Sequence, residues 1–200
     1  DFHRDPGFGQ DVRPVPYVPA HKQATFQGFV REDGRVGTRN FIGLLSSVNC
    51  SASVITRIAA HFTPERLKDF PNVDGVVAFP QTTGCGMSSP SPHFDLLRRT
   101  LAGYARHPNL AGTLIVGLGC ERNQVADLVD SQSLARGRML RTLVMQDTGG
   151  TRATIEAGIR AVEEMLPLAN AYRRERVSAS HISVGLQCGG SDGFSGISAN

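Results

Sequence analysis

The 200-residue chain lacks any apolar run of the length a membrane helix needs, so no segment is expected to span a bilayer. It lacks a secretory pattern as well: its first residues, DFHRDPGFGQD, are polar. It has no dense block of one charge. Lys and Arg number 21 against 18 Asp and Glu, giving +3 and a pI near 8.9. The one basic cluster, RRER at 173–176, follows a predicted helix and reads as a solvated helix end, so no nucleic-acid partner is expected. Four cysteines occur without a single C-x-x-C pair. That spacing argues against a secreted disulfide framework and against the paired ligands of a structural zinc site. A reducing cytoplasm is the expected location. No G-x-x-x-x-G-K-[ST] and no G-x-S-x-G is present. GLGCER holds the first two glycines of G-x-G-x-x-G but places Arg122 at the third, so dinucleotide binding has little support.

What is there is a regular alternation. An apolar fraction of 40% is enough for the core of one α/β domain. Residues 1–25, with Pro6, Pro14, Pro16 and Pro19, read as a linker from a preceding domain, and 26–200 as a central α/β domain cut within the polar stretch SGISAN. FQGFVREDGRVGTRN combines a short strand with a glycine-rich turn. FIGLLSSV, VDGVVAF, GTLIVGL, LRTLVMQ and HISVGL read as five core strands. Helices are predicted from Ser51 to Phe62, Pro92 to Tyr104, Gln124 to Leu134 and Thr151 to Ala169. The last carries a stripe of Ile155, Ile159, Val162 and Leu166. The expected fold is a Rossmann-like, mostly parallel sheet of about five strands with helices on both faces.

All four cysteines fall where one of these strands runs out. Cys50 ends FIGLLSSVNC, Cys85 follows DGVVAFPQTTG, Cys120 follows TLIVGLG and Cys188 follows HISVGLQ. The first two intervals are 35 residues each (85 − 50 and 120 − 85), the length of one strand plus one crossover helix. Thiols at one strand edge point to a soft-metal or reactive-thiol site, although a free cysteine is also a common small core residue. Cys50, Cys85, Cys120 and Cys188 are thus candidate metal ligands. Glu121 and Asp192 sit beside them, and His93 follows the TTGCG turn by a few residues. These three are the candidate proton-transfer groups. Asn49 and Thr83 lie in the same turns as candidate substrate-binding residues. Arg39, in GRVGTRN, is a candidate carboxylate clamp, because a guanidinium fork meets a carboxylate in bidentate geometry. Ser51 and Thr151 read as helix N-caps.

Seven segments taken in order carry a resemblance: GFVREDGRVGTRN (28–40), SVNCSA (47–52), TTGCGM (82–87), RTLAGYARHPNLAG (99–112), VGLGCERNQ (116–124), QDTGGTRATIEAGI (146–159) and GLQCGGSDGFSGISAN (185–200). Together they resemble the central region of the altronate dehydratase and galactarate dehydratase family. The resemblance implies a hydro-lyase that removes water from a sugar acid to give a 2-keto-3-deoxy acid. It also implies a cytoplasmic, homo-oligomeric enzyme with further domains on either side, and divalent iron as cofactor. Manganese and an iron–sulfur cluster stand as alternatives. A related branch acts on sulfolactate. Two rival readings remain: a non-catalytic scaffold domain of such an enzyme, and a thiol or iron-binding redox module.

Overall fold

The computed structural model describes residues 16–185. Two compact units are present, one from Gln27 to Arg176 and one from the flanking segments, described over 16–26 and 177–185. In the flanking unit, the Ala179 amide donates to the Ala24 carbonyl and the Ser178 hydroxyl to Gln23 Oε1, both at 2.8 Å.

The larger unit is built on a four-stranded parallel sheet. Its strands are β3 (Phe41–Ser46), β4 (Gly75–Phe79), β5 (Leu110–Gly117) and β6 (Leu140–Val144), in the order β4-β3-β5-β6. The register is regular: Ile42 faces Val76 on one side, and Leu44 faces Leu114 on the other. β3 and β5 are central and read as near-continuous apolar runs, as strands buried on both faces do. Their side chains alternate between two cores. Ile42, Leu44, Leu114 and Val116 pack with Val54, Ile55 and Ile58 of α1 (Ala52–His61). Val162, Met165 and Leu166 of α6 (Thr151–Ala171) complete that layer. Leu45 and Ile115 point the other way, to Leu101 and Ala102 of α3 (Pro92–Ala105) and to Leu128 and Val129 of α4 (Val125–Ser131). The short helices α2 (Pro64–Leu67) and α5 (Met145–Thr148) complete the connections. Helices therefore cover both faces of a parallel sheet, as the alternation predicts.

Three details differ from the sequence reading. Among the described residues the parallel sheet has four strands, and the described part of HISVGL, residues 181–185, does not join it. Ala179–His181 is a 3-10 turn, and Ile182 and Val184 are exposed. The strand that follows α6 is β7 (Arg174–Ser178). It belongs to a separate sheet, ordered β2-β1-β7, with β1 (Thr25–Val30) and β2 (Val36–Gly37). RERVS carries charge on successive residues, which a doubly buried strand cannot accommodate. Arg174 instead donates to the carbonyls of Gln27 (2.9 Å) and Thr38 (3.2 Å) and lies over the Phe29 ring. The buried stripe of α6 is Thr154, Gly158, Val162, Met165, Leu166 and Ala169, rotated from the predicted one so that Ile155 and Ile159 are only half-buried. Ser51 stands at the N-cap position of α1 without a side-chain cap bond, and Thr151 is not the cap of its helix. The Ser51 hydroxyl is buried and donates to the Val116 carbonyl at 2.7 Å, and the N-cap of α6 is Gly150.

The amino edge of the sheet is closed by polar groups. Asn40, fully buried, donates through its side-chain amide to the carbonyls of Asn72 (2.7 Å) and Ala169 (2.9 Å), and its backbone amide donates to Asp74. Its Oδ1 accepts from Nη1 of Arg31 at 2.8 Å. Arg31 is itself buried. It donates further to the carbonyls of Pro108 (2.8 Å) and Arg39 (3.0 Å), and its guanidinium lies 4.7 Å from the Tyr172 ring centroid. Burial holds its pKa below the usual guanidinium value, with the neighbouring Arg35 adding to the effect. Three acceptors compensate for that desolvation. Replacing Arg31 with Ala leaves all three without their donor and is expected to cost about 2–4 kcal/mol. Urea unfolding of this chain measures it. A loss under about 1 kcal/mol would show that the buried guanidinium does not hold this edge.

Candidate active site

From β3 the chain first winds to one side, to β4, and later to the other, to β5 and β6. The loops after β3 and β5 therefore diverge over adjacent strands. Crevices at the carboxyl ends of such a reversal are where open α/β sheets bind ligands.

Ser47 joins the three loops that meet there. It lies immediately after β3 and is fully buried. Its amide donates to the Val116 carbonyl of β5 at 3.0 Å. Its carbonyl accepts from Gln81 Nε2 (2.7 Å), in the loop after β4, and from Asn123 Nδ2 (3.3 Å), in the loop after β5. Its hydroxyl donates to Glu121 Oε1 at 2.9 Å. A second tie runs from the Asn49 amide to the Thr83 carbonyl at 2.8 Å. Thr83 donates its own hydroxyl to Gln81 Oε1 at 2.8 Å, and the Gln81 amide donates to Ser46 Oγ at 2.9 Å. The contact between these turns needs glycine at position 84. Its φ is +97°, and a Cβ there would lie 2.7 Å from the Ser47 carbonyl oxygen.

Glu121 is the buried carboxylate of this edge, only 3% exposed. It accepts from Ser47 Oγ, from the Leu118 amide (3.1 Å) and from the Gly119 amide (2.5 Å). Gly117 leaves it the room, since a Cβ there would overlap Oε1. The carboxylate thus folds the GLGCERN turn and fastens it to the loop after β3. Three donors hold it as a structural anchor.

The sequence candidates divide accordingly. Asn49, Cys50, Thr83, Cys85, Cys120 and His93 are all exposed and all belong to loops or helix starts that follow β3, β4 or β5. His93 is the second residue of α3, whose N-terminus is capped by Ser91 Oγ accepting from the Phe94 amide at 3.2 Å. The structure brings Asn49 and Thr83 into direct backbone contact. Arg39 does not join them. It precedes β3, at the amino edge, a full six-residue strand away, or about 20 Å. There it pairs with Asp74 Oδ1 at 3.5 Å. A clamp at that position cannot reach a ligand held by Asn49 and Thr83. Cys188 and Asp192 lie outside the described residues. Among the described residues, no three His, Cys, Asp or Glu side chains gather closely enough to hold a metal ion, so Cys50, Cys85 and Cys120 share an edge without forming a ligand set.

A polar cleft of about 720 Å³ opens beside this edge. Gly86, Met87 and Ser89 line it from the loop after β4, Phe94 and Arg98 from α3, and Cys120, Glu121, Arg122, Gln124 and Asp127 from the loop after β5 and α4. A larger concavity, about 850 Å³, lies at the amino edge between Arg31, His107 and Met139, away from the thiol-bearing turns. Ser47, Gln81 and Asn123 carry the architecture of the site, and none of them is among the candidate site residues read from the sequence. The available signal was the Ser-Ser pair that ends an otherwise apolar strand.

Residues 28–170 match the family described as D-galactarate dehydratase/altronate hydrolase, second domain. The chain belongs to this family. It is 33% identical to altronate dehydratase of Bacillus subtilis (strain 168) over 95% of its own length, which is 38% of that protein. Galactarate dehydratase (L-threo-forming) of Escherichia coli (strain K12) is 34% identical over 92% of the chain and 36% of the relative. The beta subunit of (2R)-sulfolactate sulfo-lyase from Chromohalobacter salexigens is 29% identical over 90% of the chain. The chain thus spans well under half the length of the dehydratases it matches.

Replacing Glu121 with Gln keeps the volume but turns an N–H₂ toward the backbone amides of Leu118 or Gly119. A stability loss of about 1–3 kcal/mol is expected in urea unfolding. An anchoring carboxylate must show that loss; a carboxylate needed only for proton transfer would leave stability unchanged.

Proposed function

We propose that this domain supplies part of the active edge of a hydro-lyase acting on a sugar acid of the altronate or galactarate type. The observation that carries the reading is the convergence on Ser47. It ties the loops after β3, β4 and β5 into one polar edge at the reversal of strand order, and it leaves Asn49, Thr83, His93 and three thiols exposed there. The family relatives named altronate and galactarate dehydratase support the reaction class.

The reaction breaks the C2–H and C3–OH bonds of the acid, releases water and leaves an enol that becomes the 2-keto-3-deoxy acid. The C2 proton needs a base and the departing hydroxyl needs a proton. His93 is the proposed base, because its imidazole stands exposed at the start of α3 on the same edge. Asn49 and Thr83 are proposed to bind the sugar hydroxyls. Glu121 holds the turn that carries Cys120 and Arg122 in place. Divalent iron remains part of the proposal for the whole enzyme, but residues 16–185 do not assemble a ligand set for it. No step here is derived through a metal.

The test is formation of 2-keto-3-deoxy acid by the full-length enzyme that contains this chain, assayed with altronate and galactarate. Sulfolactate should be included, with pyruvate and sulfite as its products. Turnover of one sugar acid is expected. His93→Gln is expected to lower kcat by about 10²–10⁴-fold with little change in stability. The exposed thiols that do not converge favour the scaffold reading as second choice. It would be upheld if the enzyme turns over a sugar acid and substitutions at His93, Asn49 and Thr83 leave the rate unchanged.

A further inference from the structure

The cleft beside the thiol turns holds two guanidinium groups, Arg98 and Arg122. Their situations differ. Arg98 is mostly buried and already engaged. Its Nε donates to Asn123 Oδ1 at 3.1 Å and its Nη1 to Ser131 Oγ at 3.3 Å, its Nη2 lies 3.9 Å from Asp127, and its plane stacks 4.4 Å from the Phe94 ring centroid. It braces α3 against α4. Arg122 is exposed at the mouth of the cleft and makes one hydrogen bond among the described residues, from Nη2 to the Ser89 carbonyl at 3.2 Å. It forms no ion pair with any described carboxylate. The Glu121 carboxylate next to it accepts from Ser47, Leu118 and Gly119, and Asp127 lies beside Arg98.

The backbone of Arg122 is anchored on both sides. Glu121 on one side and Asn123 on the other are both buried and both hydrogen-bonded to Ser47. The bond to Ser89 ties the guanidinium head to the loop after β4. A fixed arginine with unused N–H groups, facing a polar cleft, is preorganised for a planar anion.

We infer that Arg122 binds the carboxylate of the acid substrate, as a specificity-determining residue that Arg39, at the opposite edge, cannot replace. This rests on the sugar-acid reading above and adds the group that recognises the acid end. A carboxylate held at Arg122 lies over the Cys120 turn, beside the loops that carry Thr83 and Cys85. In a dicarboxylic sugar acid either end can occupy the position.

The test uses the full-length enzyme and two measurements: steady-state kinetics with altronate and galactarate, and calorimetric titration of galactarate. Arg122→Gln is expected to raise KM by roughly 10–100-fold with kcat changed less than about threefold, and to weaken galactarate binding by the same factor. Arg122→Lys, which keeps the charge but not the fork, is expected to recover part of the loss. Arg99→Gln, on the exposed surface of α3, is expected to change neither. If Arg122→Gln leaves KM and the titrated affinity within about twofold of wild type, the assignment is overturned and the sugar-acid reading stands. If the wild-type enzyme turns over no sugar acid, that reading falls, and the titration still decides the arginine. A tenfold weaker affinity in Arg122→Gln upholds it; equal affinities, or no binding by wild type, overturn it.

Discussion

The buried carboxylate of Glu121 is the constraint on which the carboxyl edge depends. An unpaired ionised group in the interior is costly, and it is tolerated where several donors converge on it. Here the donors come from two places: the backbone of its own turn, at Leu118 and Gly119, and the Ser47 hydroxyl at the end of the neighbouring strand. Satisfying that one charge therefore closes the turn after β5 and fastens it to the turn after β3. Gln81 and Asn123 then use the Ser47 carbonyl to bring in the turn after β4 and to seat the start of α4. With these groups satisfied, the side chains between them, among them Cys50, Cys85, Cys120 and Arg122, are free to face solvent.

The two edges of the sheet solve different problems with similar means. At the amino edge, Arg31 and Asn40 are buried and hydrogen-bonded, and they join the β1–β2 hairpin to the end of α6 and the entry to β4. Their polar groups are consumed internally. At the carboxyl edge, buried partners hold exposed reactive groups in place. Networks of this kind rigidify the backbone while leaving side chains available for a ligand. In the larger concavity at the amino edge, part of the charge is likewise used within the chain. Arg35 there is paired with Asp33, and Arg31 with its carbonyls and Asn40.

Much of the fold was legible. FIGLLSS and GTLIVGL are continuous apolar runs, and only strands buried on both faces tolerate that pattern. The helices α1 and α3 fell where their apolar spacing placed them. HISVGL misled, because a short apolar run carries no information about which sheet, if any, accepts it; the charged RERVS before it took the pairing with β1 instead. The site was legible in part. Small and polar residues at strand ends marked the turns with Asn49, Thr83, Cys85 and Cys120. Glu121 drew attention for its charge, and the structure spends that charge on anchoring. Arg39 drew attention as an arginine beside glycines, although its place before β3 already put it at the other edge.

By itself, the sequence determined the alternation of strands and helices, the set of thiol-bearing turns at strand ends and the family to which the chain belongs. Those properties are local or linear: periodicity, turn chemistry and motifs in order. Tertiary structure alone decided the strand order β4-β3-β5-β6, the convergence on Ser47, the burial of Glu121 and the separation of Arg39 from the other candidates. Such features arise from hydrogen bonds between distant residues, 76 positions apart from Asn123 to Ser47, and no local pattern encodes which distant donor will meet which acceptor.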